Sequence, residues 1–242
     1  MLELQGTTYV HTAYVSTDWT RSARLHVYIE HDGSPWIGET QPADDPTPRR
    51  PLAVELMARD DGPRLLLGRP CYHGRANDDA CNALAWTHER YSPGVVRSMA
   101  AALRGFAAQR GVEEIVLIGY SGGGTLAWLM AAEVPEARSV ITIAANLDID
   151  AWTALHGYSA LTGSLNPARV PPLPSTIQQV HLAGADDRNV PPAVVRSFAR
   201  SQRVPITEIG GFDHVCCWVE HWPSLLQQIR QSSADAVRSP PH

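Results

Sequence analysis

The sequence predicts a single α/β domain: a mostly parallel central sheet with helices on both faces. Short apolar runs rich in β-branched residues alternate with helical, amphipathic stretches through most of the chain. The length of 242 residues and a hydrophobic fraction of 44% suit one domain able to bury its own core. No internal repeat and no separating linker is visible. The domain is therefore expected to span residues 1–232, with a polar, disordered tail at 233–242 that ends in Pro-Pro-His.

The elements follow in order. Residues 7–16 alternate and are rich in Thr, Tyr and Val, the pattern of a strand, with a turn at Thr17-Asp18. Residues 24–30 form the next strand, broken by His31-Asp32-Gly33-Ser34-Pro35. A Pro-rich surface loop at 41–51 leads into a helix at 52–57, and 64–68 is a short buried strand. From Pro93, the residues Val95, Val96, Met99, Leu103, Phe106 and Ala107 recur at helical spacing until Gly111 stops the helix. Residues 114–119 read as a central parallel strand. A helix starts directly after Ser121 and halts before Pro135, and 139–144 is the next buried strand. After a connection of roughly 30 residues, 179–184 is another strand, followed by a Pro-initiated helix at 191–201. A last strand at 206–209 and a final helix at 223–231 complete the pattern.

Composition excludes several chemistries. All 20 basic residues are arginine. Without lysine there can be no Schiff-base nucleophile, no phosphate loop of the G-x-x-x-x-G-K-[ST] kind and no Ser–Lys pair. A formal net charge of −5 with scattered arginines argues against a nucleic-acid partner. No apolar run approaches the ~18 residues that would span a bilayer. The N-terminus Met1-Leu2-Glu3-Leu4-Gln5 has neither the basic nor the apolar region of a signal peptide. The expectation is a cytoplasmic chain, or a periplasmic or secreted one if Met1 replaces a leader. Cys71 and Cys81 flank a polar loop that suits a disulfide in an oxidising compartment, with two separate thiols as the alternative. Cys216 and Cys217 read as small buried hydrophobes.

Gly119-Tyr120-Ser121-Gly122-Gly123 is a G-x-S-x-G segment between a buried strand and a helix, where a nucleophile elbow must lie. A strand-to-helix turn this sharp needs small neighbours two residues either side of the serine. It lifts the hydroxyl out of the sheet and aims the Gly122 N–H, at a helix N-terminus, towards a developing oxyanion. A serine needs a base, and the base needs an orienting acid. Gly184-Ala185-Asp186-Asp187-Arg188-Asn189-Val190-Pro191 follows the next-to-last strand, and Gly210-Gly211-Phe212-Asp213-His214 follows the last. Serine, acid and histidine thus each sit just past the carboxyl end of a strand, where open α/β sheets place ligands.

On these motifs the chain resembles the α/β-hydrolases over nearly its whole length, and the order Ser121, Asp187, His214 is theirs. The pattern Gly184, Asp187, Val190, Pro191 is similar to their acid loop, which favours Asp187 over Asp186. The turn at His31-Asp32-Gly33 is placed like their His-Gly oxyanion loop, but an Asp interrupts the pair. The resemblance therefore leaves open which N–H of Asp32, Gly33 or Ser34 joins Gly122 in an oxyanion hole. The segment 28–36 and the ending His214-Val215-Cys216-Cys217-Trp218 resemble a little-characterised bacterial branch of these hydrolases. The resemblance implies a cofactor-free serine hydrolase acting through an acyl-enzyme on a small-molecule carboxylic ester. His214 would be the base, so the rate is expected to fall as its imidazole protonates.

Competing readings use the same residues. Asp148 or Asp150 could supply the acid, since both follow the strand at 139–144. His214, Cys216, Cys217 and His221 superficially suggest metal ligands, but no C-x-x-C or H-E-x-x-H spacing is present, and no metal is expected. His73 and His88 are expected to be solvated, while His26 and His181 lie within strands. The 146–177 connection is the expected short lid, with Leu147, Trp152, Leu155, Tyr158 and Leu161 available to line an acyl pocket beside Tyr120, or simply to cover the sheet. Thioesterase, amidase or peptidase chemistry would use the same triad, and a non-catalytic binding protein could keep the fold.

Overall fold

The computed structural model describes residues 1–16, 24–38 and 40–238, with side chains through residue 232. In chain order the elements are β1 (Leu2–Gln5), β2 (Val10–Val15), β3 (Arg24–Ile29), β4 (Trp36–Ile37), β5 (Gln41–Pro42), α1 (Leu52–Ala58), β6 (Arg64–Leu67), α2 (Pro93–Arg110), β7 (Glu114–Tyr120), α3 (Gly122–Ala131), β8 (Ala137–Ile143), α4 (Ile149–His156), β9 (Gln178–Gly184), α5 (Pro192–Gln202), β10 (Thr207–Ile209) and α6 (Trp218–Arg238). A single turn of 3₁₀ helix spans Ala83–Trp86.

Eight strands form one sheet in the order β1-β2-β6-β3-β7-β8-β9-β10. From β6 to β10 every neighbouring pair is parallel, and β2 is antiparallel to both β1 and β6. This is the expected mostly parallel sheet.

Strand alternation sorts side chains onto the two faces. Ile115 and Leu117 of β7 join Leu25, Val27 and Ile29 of β3 in a core covered by α2, α3 and α5. Val116, Ile118 and Tyr120 point the other way, against Leu52 and Leu56 of α1 and Trp218, Trp222 and Leu226 of α6. A buried polar chain pins α6 there: the Trp222 indole donates to the Tyr28 hydroxyl at 3.0 Å, which donates to Asp60 at 2.6 Å, and Arg230 reaches the same carboxylate at 3.0 Å. His26, within β3, also contacts Asp60, and His181, within β9, contacts Thr142.

Several boundaries differ from the sequence reading. The N-terminal strand is a hairpin, because β1 pairs with β2 from Leu2 to Gln5. The small β4–β5 hairpin and α4 fall in segments read as loops. α6 starts at Trp218, so Pro223 lies inside it, and its backbone continues past the expected end to Arg238. The turn expected at Thr17-Asp18, and residues 239–242 of the expected tail, lie outside the described residues.

Cys71 and Cys81 are joined by a disulfide. Cys216 and Cys217 correct the reading as buried hydrophobes: they are bonded to each other, Cys216 is exposed and Cys217 half-buried. Their place in a turn between β10 and α6 leaves Cys217 packed at the edge of the core and Cys216 outside it. No described helix is long and apolar enough to cross a membrane.

Candidate active site

The parallel strands all end at one edge of the sheet, and four of them deliver the predicted residues there. The β3 end leads to His31 and Asp32, β7 to Ser121, β9 to Asp187 and β10 to His214. Ser121, His214, Asp32, Tyr120 and Trp152 line one cavity of ≈ 1440 Å³.

Ser121 has φ 52° and ψ −125°, a left-handed conformation that costs a non-glycine residue energy and is kept only where its surroundings enforce it. They do so through the Ser121 N–H, which donates to the Ile143 carbonyl of β8 at 2.8 Å. Two glycines allow the close packing. A Cβ on Gly119 would lie 2.2 Å from the Gly123 carbonyl oxygen, and one on Gly123 would lie 2.1 Å from that of Ile29.

Asp187 is buried, and its Oδ1 accepts the N–H groups of Asn189 and Val190, both at 2.8 Å. Oδ2 faces His214 Nδ1 at 2.8 Å. The other acid candidates are occupied elsewhere. Asp148 caps α4 and accepts from Asn166 and Ser197, Asp150 pairs with Arg169, and Asp186 is exposed. His214 is further held by its carbonyl, which accepts the Tyr120 hydroxyl at 2.9 Å, with the two rings 5.3 Å apart. Asp213 shapes the same loop by accepting the N–H groups of Val215 at 2.8 Å and Cys216 at 2.6 Å. Among the described residues no hydrogen bond joins Ser121 to His214.

The four oxyanion candidates separate. The Gly33 N–H donates to His31 Nδ1 at 3.0 Å and the Ser34 N–H to the Pro46 carbonyl at 2.9 Å, so both donors are already spent. Among the described residues the N–H groups of Gly122 and Asp32 have no acceptor. The interrupting Asp also finds a purpose. Its half-buried carboxylate lies between the guanidiniums of Arg69 and Arg90, accepts the Tyr91 hydroxyl, and packs so close to Gly122 that a Cβ there would sit 2.0 Å from Oδ1. The Asp32 carbonyl accepts the Tyr72 hydroxyl at 2.8 Å. Burial alone would push the Asp32 carboxyl up, but the two guanidiniums hold it well below the usual carboxylate range. The Glu30 carboxyl beneath this loop is pushed up to about 7 by burial, although it accepts the N–H groups of His31 at 3.0 Å and Ala53 at 2.8 Å.

Two of the expected pocket residues are corrected. Leu147, ahead of α4, is fully buried in the core, and Leu155, on α4, is 56% exposed; neither lines the cavity. Trp152 and Tyr120 do line it, as do Tyr158 and Leu161. Trp152 and His156 both donate to the Asn189 carbonyl, at 2.9 and 2.7 Å, fastening α4 to the acid loop. His88, expected to be solvated, packs edge-on against Trp36 at 5.6 Å in the cavity wall. Arg90 and Asn146 also line the cavity without any motif announcing them. No group of three or more His, Cys, Asp or Glu side chains that could hold a metal ion occurs among the described residues.

No protein-family model matches the chain, and no curated protein matches it in sequence. Solved structures do. A serine hydrolase of Xanthomonas campestris described as lacking a lid superposes with a TM-score of 0.61 at 14% identity, covering 95% of this chain and 93% of that one. Est1E of Butyrivibrio proteoclasticus, with ferulic acid bound, gives a TM-score of 0.63 at 14% identity over 96% and 98% of the two chains. The acylaminoacyl peptidase of Pyrococcus horikoshii gives 0.63 at 11% identity over 95% of this chain but 40% of its own. Sheet order, strand directions and these superpositions agree: the chain has the α/β-hydrolase fold.

Proposed function

We propose that the protein is a serine hydrolase that cleaves carboxylic esters through an acyl-enzyme. The observation that carries this reading is the His214–Asp187 contact of 2.8 Å in the cavity that also holds Ser121 on its strained turn. His214 Nε2 takes the Ser121 proton as Oγ attacks the ester carbonyl. The N–H groups of Gly122 and Asp32 hold the resulting oxyanion. Collapse of the tetrahedral adduct expels the alcohol, which receives its proton from His214. Water then attacks the acyl-enzyme by the same route and releases the acid. Asp187 fixes the His214 tautomer and stabilises the imidazolium.

The carboxylic acid bound to the Est1E neighbour supports a carboxylic ester as the bond cleaved, and the peptidase neighbour keeps an amide as the second reading. A fluorophosphonate probe followed by mass measurement tests the reading. Labelling of the wild type and none of Ser121→Ala is expected. No labelling of the wild type would favour a binding protein on this fold. An ester, thioester and amide panel then ranks the bonds cleaved. Short-chain esters are expected to react faster than long-chain triglycerides, because the 146–177 segment brings one short helix over the cavity and no large apolar cap.

A further inference from the structure

We propose that Arg90 forms an anion-binding subsite in the cavity, and that the esters cleaved there carry a free carboxylate close to the scissile bond. The proposal rests on the serine hydrolase reading above. Arg69 and Arg90 are 2% and 4% exposed, and Asp32 is the one carboxylate that either guanidinium contacts among the described residues. Two buried cations against one anion leave a positive charge uncompensated, which a low-dielectric site tolerates poorly.

The hydrogen-bond pattern says where that charge is open. Arg90 donates from Nε to the Thr87 carbonyl at 2.6 Å and from Nη1 to Asp32 at 2.9 Å, and among the described residues its Nη2 has no acceptor. Among the described residues, the polar side-chain atoms that are both sealed in protein and unpartnered belong to Trp86, Glu136 and Gln202, so Arg90 Nη2 is not sealed in. Arg90 and Ser121 line the same cavity, which is the space this open edge would face. The open Nη2 can give a charge-assisted hydrogen bond to a carboxylate, and one net positive charge matches a monoanion better than a phosphate dianion. Asp32 bridges this edge to Gly122, which places the subsite next to the oxyanion donors and calls for a short acid chain. The two carboxylates that line the cavity elsewhere, Glu55 and Glu220, are exposed residues of α1 and α6, the helices of the opposite face.

Monomethyl and dimethyl glutarate share a skeleton and differ in charge. Initial rates of acid release at constant ionic strength should give the monoanion at least about tenfold the kcat/KM of the diester, and Arg90→Gln should bring that ratio to about one or below. A wild type that prefers the diester would overturn the proposal, as would an Arg90→Gln variant that slows both esters equally. Should Arg90→Gln fail to fold, calorimetry of monomethyl and dimethyl glutarate with Ser121→Ala protein decides: tighter binding of the monoanion supports the subsite, and equal or absent binding of the monoanion overturns it. If the fluorophosphonate leaves the wild type unlabelled, the hydrolase reading fails, while monomethyl glutarate binding still judges the subsite by itself.

Discussion

His214 Nδ1 stands 2.8 Å from Asp187 Oδ2, while Oδ1 of the same carboxylate is consumed by two backbone N–H groups. The acid is therefore fixed at one oxygen and offers the other to the imidazole. Asp187→Asn would either present an amide N–H to Nδ1 or abandon the backbone bonds. Turnover is expected to fall by about 10³–10⁴ with little change in KM, the behaviour of a wrongly held tautomer. Steady-state kinetics on a variant with unchanged circular dichroism checks this. A loss below tenfold would speak for another acid.

Tyr72 donates to the Asp32 carbonyl and so helps hold the backbone of the residue whose N–H is the proposed oxyanion donor. Tyr72→Phe should lower kcat about three- to tenfold and leave KM nearly constant, because an oxyanion contact matters mainly in the transition state. A boronic-acid transition-state analogue should weaken in parallel. If KM rises while kcat holds, Tyr72 serves substrate binding instead.

Cys71 precedes Tyr72 and is bonded to Cys81 ten residues on. Cys81→Ala should cost ~3 kcal/mol in the loop-closure view and reduce activity through Tyr72. Urea unfolding and kinetics on the same sample test both halves.

The Glu30 carboxyl has its pKa raised from 4.5 to about 7. Between those values the native state binds the proton more tightly than the unfolded chain does. The stability contributed is thus present below the unfolded value and is lost as pH rises through the folded one. Replacing the group with Glu30→Gln removes that dependence. Relative to the wild type, the variant should gain up to roughly 3 kcal/mol between acid and mildly alkaline pH. Denaturant titrations of both proteins across that range measure it, and parallel profiles would refute it.

Two glycines should respond in opposite directions to the same change. Gly119→Ala drives a Cβ to 2.2 Å from a backbone oxygen of the elbow, so about 3 kcal/mol of stability and most activity should go. Gly105 lies in α2, exposed, with nothing near its Cβ position. There alanine should add about 1 kcal/mol. Thermal unfolding of the pair, in one buffer, is the test.

The central strands and the serine, acid and histidine loops were legible because each has a local signal: a β-branched run, a glycine-flanked serine, an Asp before Val-Pro. The helix α4 was legible in principle, since Asp148 caps its start and Gly157 closes it at φ 67°, but its apolar residues were read as a lid lining. The β4–β5 hairpin has two-residue strands, one of them ending in Pro42, too short for any period to show. The Asp32 clamp was not legible at all. Arg69 and Tyr72 stand at one end of the β6–α2 connection and Arg90 and Tyr91 at the other, and they meet around Asp32 only when β3 and β6 pair and α2 docks on the sheet. Asp32 looked like an interruption of a motif for the same reason: its partners are distant in sequence.

Both cations that flank Asp32 are arginine, and a guanidinium keeps its proton at any pH an ester assay can use. A lysine there could be neutralised by desolvation or by alkali, and the field in the cavity would fade as conditions changed. Here it is permanent. The alkaline limb of a rate profile should therefore show no ionisation of these two residues, and reagents that modify amines should leave the cavity wall untouched.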